Sequence, residues 1–463
     1  MSIQRPLGAT QGGSIELTSP SLDVARRASR SGVGLLALCG ILVTATLVSI
    51  AAAHTDLLLP ESVRPVPAWL AGPFRDVGLG LGAGGLISVL AVMFVSYLIA
   101  VQAAHRLSAR AVLMTIAAFH ALVLFAPPLL STDVFSYQAY ARMGAVYGLN
   151  PYLAGPHAIQ LDPLYAYIGA KWVGTPTAYG PVFTALSYVL APLSVASSAL
   201  AYKSMAAVAS LGTVALVWNA ARLRGVDPVK AAALVGLNPL VVLYGVGGGH
   251  NDLLMLALLV AGVSLLLSER PRAGGAAMVL GAGVKLTACL YIPFALADAW
   301  ARGQRHSRRE LAIGLGLTGA LLAVAGVAVF GSGPLQMLMT VAQNQSKGDW
   351  YSISGFISID LGLGTVGHVT GYVLAVGFAI VTFSLLRRVW RGELDWIAAA
   401  GWATFAMLVT ASFLLPWYVA WLMPFAALGR DPRLWRTALA TTGVILGIQL
   451  LEYIPHAAVL LGR

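Results

Sequence analysis

The stretch SGVGLLALCGILVTATLVSIAAA, residues 31–53, decides the fold class of this chain. It holds no charged residue, and as a helix it is long enough to cross a bilayer, which takes about 20 apolar residues. Apolar stretches of similar length recur toward the C-terminal end. Backbone groups inside lipid must satisfy each other, so such stretches are expected to be helices. The sequence therefore predicts an all-α, polytopic transmembrane bundle of about 11–13 spans.

Composition and charge exclude a single water-soluble domain. Of the 463 residues, 58% are hydrophobic and 10% are charged, whereas soluble domains carry about 25% charged residues. The 29 lysines and arginines against 18 acidic residues give a net charge of +11. On a membrane protein this excess indicates cytoplasmic loops rather than a nucleic-acid partner. Cys39 and Cys289 lie in apolar segments and form neither a disulfide framework nor a metal motif.

The chain divides into a polar tail and one membrane domain. Residues 1–30 are rich in serine and glycine and end in arginines, which predicts a disordered cytoplasmic tail before a retained first helix. In the domain of residues 31–463, most basic residues fall on the side of the tail, so the N-terminus is expected in the cytoplasm beneath the cell membrane. The span count between residues 180 and 248 stays open, because Lys203 and the Arg222 region, both assigned to the cytoplasm, flank one apolar segment.

Several segments of the domain are not simple spans. Residues 133–177 combine aromatic residues with proline and glycine, which favours short helices along the membrane interface. Residues 331–365 form a second loop, and the assigned topology puts both loops on the extracytoplasmic face. Hairpins with tips toward that face are predicted for two pairs of shorter apolar pieces, 273–284 with 286–300 and 395–415 with 417–428.

Ionisable residues at the extracytoplasmic face are candidates for chemistry, since such groups are costly at a membrane boundary. Asp133 stands where a span meets the first loop. Either Asp133 or Thr132 could cap a helix that begins near Val134, and Asp133 could also be a catalytic carboxylate. Lys285 interrupts an apolar stretch, where its ammonium needs a phosphate or carboxylate partner unless it snorkels to the interface.

The segment His250-Asn251-Asp252 follows three glycines and precedes an apolar helix. Asn251 is therefore either the N-cap of that helix or, with its neighbours, part of the wall of a substrate cleft. One histidine with one aspartate is too small a ligand set to indicate a metal. No cofactor is predicted, and a divalent metal stays an open alternative.

Amides and aromatic rings suit the hydroxyls and ring faces of sugars. Asn344 and Trp350 in the second loop, and Trp417 and Tyr418 at a hairpin tip, combine these groups. Tryptophan and tyrosine are also typical of membrane interfaces. Contact with a sugar and membrane anchoring therefore both stay open for these positions.

Several stretches of this sequence resemble the actinobacterial polyprenol-phosphate-mannose-dependent α-(1→6)-mannosyltransferases, which belong to the GT-C superfamily of membrane glycosyltransferases. The DVFSY and GLNPY stretches are the most specific to this group, and the order and spacing match over most of the chain. The stretches are STDVFSYQAY (131–140), GLNPY (148–152), TAYGP (177–181), GHND (249–252), VKLT (284–287) and PWY (416–418).

The resemblance implies a GT-C-like enzyme that moves mannose from a polyprenyl-phosphate donor to a lipid-linked mannan acceptor by an inverting α-(1→6) transfer. In such enzymes an aspartate of an extracytoplasmic loop beside a membrane helix is the general base, which by position is Asp133. Lys285 is the first expected phosphate ligand and Arg142 the second. The other expected substrate contacts are Tyr137, His250, Asn251, Asp252, Asn344, Trp350, Trp417 and Tyr418.

Two other classes remain as alternatives to this mannosyltransferase. Polar residues in broken helices also suit a transporter or flippase of a polyprenyl-linked sugar, and a related transferase could use another polyprenyl-phosphate sugar. The polar residues gather on one face and no internal repeat is evident, which favours the enzyme. The expected partners are the donor, the acceptor and membrane lipids, with no nucleic acid.

Overall fold

The computed structural model describes residues 20–64, 67–349 and 351–454. Within these ranges the chain is helical and holds no β-strand, which confirms the predicted all-α class. The predicted tail lies outside the described residues up to residue 19, and the first helix begins at Pro20. The α-helices are α1 Pro20–Ala51, α2 Ala83–Ala103, α3 Ala109–Phe125, α4 Asp133–Ala145, α5 Pro181–Tyr188, α6 Val195–Leu223, α7 Pro228–Gly236, α8 Asp252–Leu267, α9 Pro271–Val284, α10 Ile292–Ala301, α11 Arg305–Phe330, α12 Gly333–Ser346, α13 Ile353–Gly355, α14 Gly364–Trp390, α15 Trp396–Thr410, α16 Met423–Leu428 and α17 Pro432–Leu451.

Six of the described helices are long and apolar enough to cross a membrane: α1, α2, α6, α11, α14 and α17. Helix α7 and the π-helical segment Leu240–Val246 form a seventh candidate, bent by 49°. Five further apolar helices have only 10–17 residues. The polytopic bundle is therefore confirmed, with fewer full-length spans than the sequence predicts, because several apolar stretches fold into short helices.

Both predicted hairpins are present. Lys285 takes an extended conformation after α9, and a 3-10 helix, Leu286–Tyr291, leads from it into α10. After α15, the 3-10 helix Pro416–Trp421 leads into α16. Both tips line one cavity with Asp133. The breaks in these helices therefore bring polar and aromatic side chains together at one end of the bundle.

The stretch between residues 180 and 248 contains one short helix and two candidate spans. Helix α5 has 8 residues, whereas α6 is continuous over 29 residues. The Nζ atom of Lys203, buried in α6, donates to three backbone carbonyl oxygens at the C-terminal end of α3. The assignment of Lys203 to the side of Arg222 is therefore wrong, since the two residues lie near opposite ends of α6 and Lys203 is held at the α3 end that leads to Asp133.

Both predicted extracytoplasmic loops contain helical structure that packs on the bundle. Residues 133–177 form α4 and three 3-10 turns, and most of α4 is buried in the main hydrophobic core. Helix α12 occupies the first part of the 331–365 loop. Its Met337 packs with Tyr152 and Phe330 in a second buried cluster. The loops therefore hold each other in place, while their position along a membrane interface stays a prediction.

Candidate active site

Asp133 is the first residue of α4, and its carboxylate takes part in side-chain contacts rather than in capping. The backbone N–H of Asp133 donates to Oγ of Ser131 at 3.2 Å, and the side chain of Thr132 makes no capping bond. Oδ2 of Asp133 accepts hydrogen bonds from the hydroxyls of Tyr137 at 3.3 Å and Tyr179 at 3.4 Å. The side chain is 19% exposed. Thr132 therefore stands at the N-cap position of α4 without a side-chain capping bond, and the carboxylate of Asp133 is held but accessible.

His250 supports this carboxylate from the buried side. Its Nδ1 atom lies 3.2 Å from Oδ2 of Asp133, and its ring stacks on Trp417 with the centroids 3.6 Å apart. The preceding Gly249 has a φ of 65°, and a Cβ atom there would lie 2.5 Å from Cγ1 of Val134. Only glycine meets both conditions without strain. Gly249 therefore allows the backbone just before His250 to approach α4 closely.

These surroundings keep Asp133 ionised at neutral pH. Burial by itself would raise the pKa of the carboxyl group. The contact with His250, the positive charge of Lys285 and the hydroxyl of Tyr137 outweigh burial and hold the pKa below the ordinary value of 3.8. Burial first, and then neighbouring charges, raise the pKa of Tyr137 and of Tyr179 well above 10. The hydroxyls of Tyr137 and Tyr179 therefore stay protonated and donate to Asp133. Asp133 is an ionised carboxylate, and in this state it can accept a proton.

Lys285 forms an ion pair with Asp252. Its Nζ atom lies 2.7 Å from Oδ1 of Asp252, which also accepts a hydrogen bond from Nε1 of Trp421 at 2.8 Å. Nζ lies 4.8 Å from the ring centroid of Tyr418 and 5.3 Å from that of Trp421, which favours a cation. The lysine therefore has the carboxylate partner that was one of its predicted alternatives, and its side chain is 16% exposed where it lines the cavity.

The Tyr-Gly-Pro stretch connects Asp133 with the Lys285 hairpin. The backbone N–H of Gly180 donates to the carbonyl of Val284 at 2.9 Å. A Cβ atom on Gly180 would lie only 2.1 Å from the carbonyl oxygen of Gly283, so a glycine is required for this approach. The contact holds Tyr179 in the cavity that Lys285 also lines. The sequence analysis included this stretch in the family resemblance but assigned no role to Tyr179. Its position directly before Gly180-Pro181, where a helix begins, could have indicated one.

Two cavities meet at Asp133. The apolar cavity, of about 560 Å³, also contains Lys285 and is lined mostly by the side chains of Leu286, Leu290, Ala375, Phe378, Met407 and Leu408 with aromatic residues. The polar cavity, of about 340 Å³, lies beside the ends of α3 and α17 and contains Lys171, Asp349, Tyr351, Gln449 and Glu452. The side chains common to both are Asp133, Trp172, Phe413, Leu415 and Trp417. Both volumes lie in the range of ligand pockets, about 300–1,000 Å³.

Most of the predicted site residues gather here in two layers. Those that line the apolar cavity are Asp133, Lys285, Asn344, Trp417 and Tyr418. Those that lie behind its wall are Tyr137, His250, Asn251 and Asp252. Asn251 makes no capping bond, and its Oδ1 accepts from the hydroxyl of Tyr137 at 3.4 Å. Asn251 and its neighbours thus support the carboxylate and the lysine from behind the cavity wall, and Trp350 lies outside the described residues.

Arg142 is the predicted residue that the fold keeps away from the site. Its Nε atom lies 2.7 Å from Oδ2 of Asp162, and Nη1 donates to the carbonyl of Ala191 at 3.3 Å. The same carboxylate oxygen accepts from the hydroxyl of Tyr147 at 2.7 Å. Arg142 lines neither cavity. It fastens the first loop to the segment before α6.

Sequence reasoning missed a pair of lysines around Trp172. Nζ of Lys347 lies 4.6 Å and Nζ of Lys171 lies 5.6 Å from this indole ring, and Lys347 donates to Oγ1 of Thr175 at 3.0 Å. Burial, and then the charge of Lys171, lower the pKa of Lys347. In the described part of the chain, neither lysine forms an ion pair with a carboxylate. These cations, both assigned to the outer face, therefore place positive charge beside Trp172, which lines both cavities.

Acidic and imidazole groups of the site pair with other side chains. Asp252 is engaged by Lys285 and Trp421, and Asp133 by His250 and tyrosines. Among residues 20–64, 67–349 and 351–454, no three His, Cys, Asp or Glu side chains form a group that could hold a metal ion.

Comparison with known families finds two matching family models. Residues 31–302 match the model described as alpha-(1->6)-mannopyranosyltransferase, N-terminal domain. Residues 351–451 match the model described as MptB C-terminal domain. The first model includes Asp133, His250 and Lys285, and the second includes Trp417 and the end of α17. Both cavities are therefore built from the two matched regions together.

Several curated relatives carry the same description. A probable alpha-(1->6)-mannopyranosyltransferase of Mycolicibacterium smegmatis is 30% identical over 70% of this chain and 66% of its own length. Alpha-(1->6)-mannopyranosyltransferase A of Mycobacterium tuberculosis is 30% identical over 66% of this chain and 64% of its own. Alpha-(1->6)-mannopyranosyltransferase B of Corynebacterium glutamicum is 28% identical over 68% of this chain and 58% of its own.

The match thus spans between 58% and 66% of the length of these relatives. One family model nevertheless covers more than half of the chain, including the start of α4 and the Lys285 hairpin. On these matches, this polytopic helical protein belongs to the alpha-(1→6)-mannopyranosyltransferase family.

Proposed function

We propose that this chain moves mannose from a polyprenyl-phosphate mannose donor to a lipid-linked mannan acceptor by an inverting α-(1→6) transfer. The observation that carries the proposal is the ionised, accessible carboxylate of Asp133 at the meeting point of an apolar and a polar cavity. The names of the relatives support mannosyl transfer. A lipid-borne donor fits a large cavity with apolar walls.

The chemistry follows from the position of the carboxylate. An acceptor hydroxyl attacks C1 of the mannosyl group, and the bond from C1 to the phosphate oxygen breaks. Asp133 takes the proton of the attacking hydroxyl, and the lipid phosphate leaves with the electron pair. Attack opposite the leaving group converts a β-linked donor into an α-linked product. A positioned general base contributes about 10²–10⁴-fold to such a step.

Positive charge at the apolar cavity serves the departing phosphate. Lys285 is fixed by Asp252 and reaches the cavity between the rings of Tyr418 and Trp421. A preorganised cation of this kind stabilises negative charge as it develops. We assign Lys285 the first contact to phosphate and give the second to Lys347 in place of Arg142, because Nζ of Lys347 lies 4.6 Å from the ring centroid of Trp172, which lines the cavity.

Other predicted residues of the apolar cavity suit the sugar of the donor. Trp417 and Tyr418 present aromatic faces there. Oδ1 of Asn344 has no hydrogen-bond partner among the described residues, so a sugar hydroxyl would satisfy it. These three residues are assigned to the mannosyl group.

The orientation in the membrane is part of the proposal. The polar residues named above lie at the end of the bundle that carries Asp133, whereas the basic termini of α6 and α14 lie at the other ends of those helices. Basic residues accumulate in cytoplasmic loops. We therefore assign a multi-pass protein of the cell membrane with a cytoplasmic N-terminus and an extracytoplasmic active site.

Purified protein in detergent, supplied with polyprenyl-phosphate mannose and an oligomannoside, tests the activity. Formation of a glycosidic bond without any membrane supports the enzyme, whereas lipid translocation in vesicles without bond formation would establish the transporter alternative. Asp133→Asn is expected to reduce kcat at least about 100-fold with unchanged donor affinity. The matched control is Asp76→Asn, an exposed loop residue outside both cavities. Residual activity above about a tenth of the wild type would remove Asp133 from the role of base.

The phosphate assignment is tested by donor affinity. Lys285→Ala is expected to weaken donor binding at least about tenfold, since it removes a charge-assisted contact. Melting temperature checks that the protein remains folded without the ion pair to Asp252. Unchanged donor affinity in a folded variant would move the predicted phosphate contact from Lys285 to Lys347 and Lys171 beside Trp172.

A further inference from the structure

The polar cavity is lined by more charged side chains than the apolar cavity. The hydroxyl of Tyr351 donates to Oε1 of Gln449, and Nε2 of Gln449 donates to Oε2 of Glu452 at 2.5 Å. Asp349 lies on the same cavity. The C-terminal turn of α17 and the second loop thus place hydroxyl, amide and carboxylate groups along one wall of the space in front of Asp133.

Aromatic side chains also line this cavity. Trp172 and Trp417 line it, and Phe413 packs edge-on against Trp172 with the centroids 6.0 Å apart. Trp417 is fixed from behind by the stacked ring of His250. A cavity lined by both indole rings and polar groups suits a sugar ring, with its apolar face and its hydroxyls.

The charge of the polar cavity is unfavourable for a phosphate. Among the described residues that line it, Asp133, Asp349 and Glu452 are acidic and Lys171 is basic. The apolar cavity contains Lys285 with the shared Asp133. An anionic lipid phosphate is therefore favoured on the apolar side, and a neutral hydroxyl-rich ligand on the polar side.

We infer that the polar cavity is the subsite for the acceptor glycan, which binds as a neutral oligosaccharide through Gln449, Glu452 and the indole faces of Trp172 and Trp417. The inference rests on the proposed mannosyl transfer and adds the place of the second substrate. The attacking hydroxyl then reaches Asp133 from the polar side while the phosphate departs on the apolar side. This is the arrangement that inversion at C1 requires.

The experiment separates the affinities for the two substrates in purified protein. Acceptor KM is measured with an oligomannoside at saturating donor, and donor Kd is measured by thermal shift with polyprenyl-phosphate mannose alone. Glu452→Gln and Gln449→Leu are expected to raise the acceptor KM about tenfold or more, with donor Kd unchanged. Glu393→Gln, an exposed residue outside both cavities, is the matched control and is expected to change neither value.

A complementary variant fills the other cavity. Ala375→Trp narrows the apolar cavity and is expected to weaken donor Kd at least about tenfold with acceptor KM unchanged. An unchanged acceptor KM in both Glu452→Gln and Gln449→Leu, or an equal loss of donor and acceptor affinity in them, would overturn the acceptor subsite. Absence of transfer by the wild type to any oligomannoside would instead overturn the proposed function itself.

Discussion

Replacement of His250 by phenylalanine should move the acid limb of the pH profile. His250→Phe keeps an aromatic ring against Trp417, which the imidazole contacts at a centroid distance of 3.6 Å, and removes Nδ1 from its position 3.2 Å from Oδ2 of Asp133. The pKa of Asp133 lies below 3.8, in part because of this contact. A base works in its ionised form, so activity is lost as pH falls through that pKa. Raising the pKa therefore moves the loss of activity to higher pH.

The size of the shift follows from the geometry. A well-aligned hydrogen bond to a charged group is worth about 1.5–3 kcal/mol, or about one to two pKa units. The contact between His250 and Asp133 is close but does not meet hydrogen-bond geometry. We therefore expect an upward shift of about one unit. At neutral pH the variant should keep much of its activity, because Asp133 is still ionised there.

The assay is kcat/KM from about pH 2.5, below the ordinary pKa of an aspartate, to about pH 8, with each sample returned to neutral pH afterwards to show that it refolds or has stayed folded. The control is His368→Phe, an exposed residue of α14 that lines neither of the two cavities at Asp133. An acid limb at the same pH in His250→Phe and in the wild type would refute the view that His250 sets the proton affinity of Asp133.

Three further substitutions test the framework around the site. Gly180→Ala puts a Cβ atom 2.1 Å from the carbonyl oxygen of Gly283; we expect a loss of about 1–3 kcal/mol in unfolding free energy and a matching loss of transfer activity, and normal values for both would contradict the close approach. Arg142→Met leaves Asp162 without its ion pair. The unfolding free energy should fall by about 3 kcal/mol, seen as a lower melting temperature, while donor affinity is unchanged. A selective loss of donor affinity would restore Arg142 as a phosphate ligand. Lys203→Met removes the donor of hydrogen bonds to three carbonyl oxygens at the end of α3. The unfolding free energy should fall by about 1–3 kcal/mol, and hydrogen exchange should become faster at that end of α3. Unchanged exchange there would be evidence against the capping role.

Local patterns were sufficient for the fold class and for much of the site. Uninterrupted apolar stretches specify helices wherever they occur, because the backbone has no other partner in lipid. Helix breaks at Lys285 and at Pro416 are also local, and both predicted hairpins are present. Span number was less predictable, since an apolar stretch of 10–17 residues can end inside the bundle when other helices cover it.

The partners of the basic residues could not be predicted from the sequence, because they lie in distant segments of the chain. Lys285 was the first and Arg142 the second predicted phosphate ligand. Asp162 takes Arg142 away from the cavity, whereas Asp252 holds Lys285 at its wall. Lys203 matched the pattern of a cytoplasmic charge but is buried among backbone carbonyls.

The sequence by itself determined that this chain is a helical membrane protein and that Asp133 and Lys285 are polar exceptions in apolar surroundings. These conclusions depend only on local properties of a segment: its backbone must form internal hydrogen bonds in lipid, and a charged side chain there is costly. The tertiary structure decided that two cavities share Asp133, and that Trp172 and Trp417 stand between them. Such an arrangement is set by packing among segments more than 100 residues apart, as in the contact of Tyr137 with Asn251, and no local pattern specifies it.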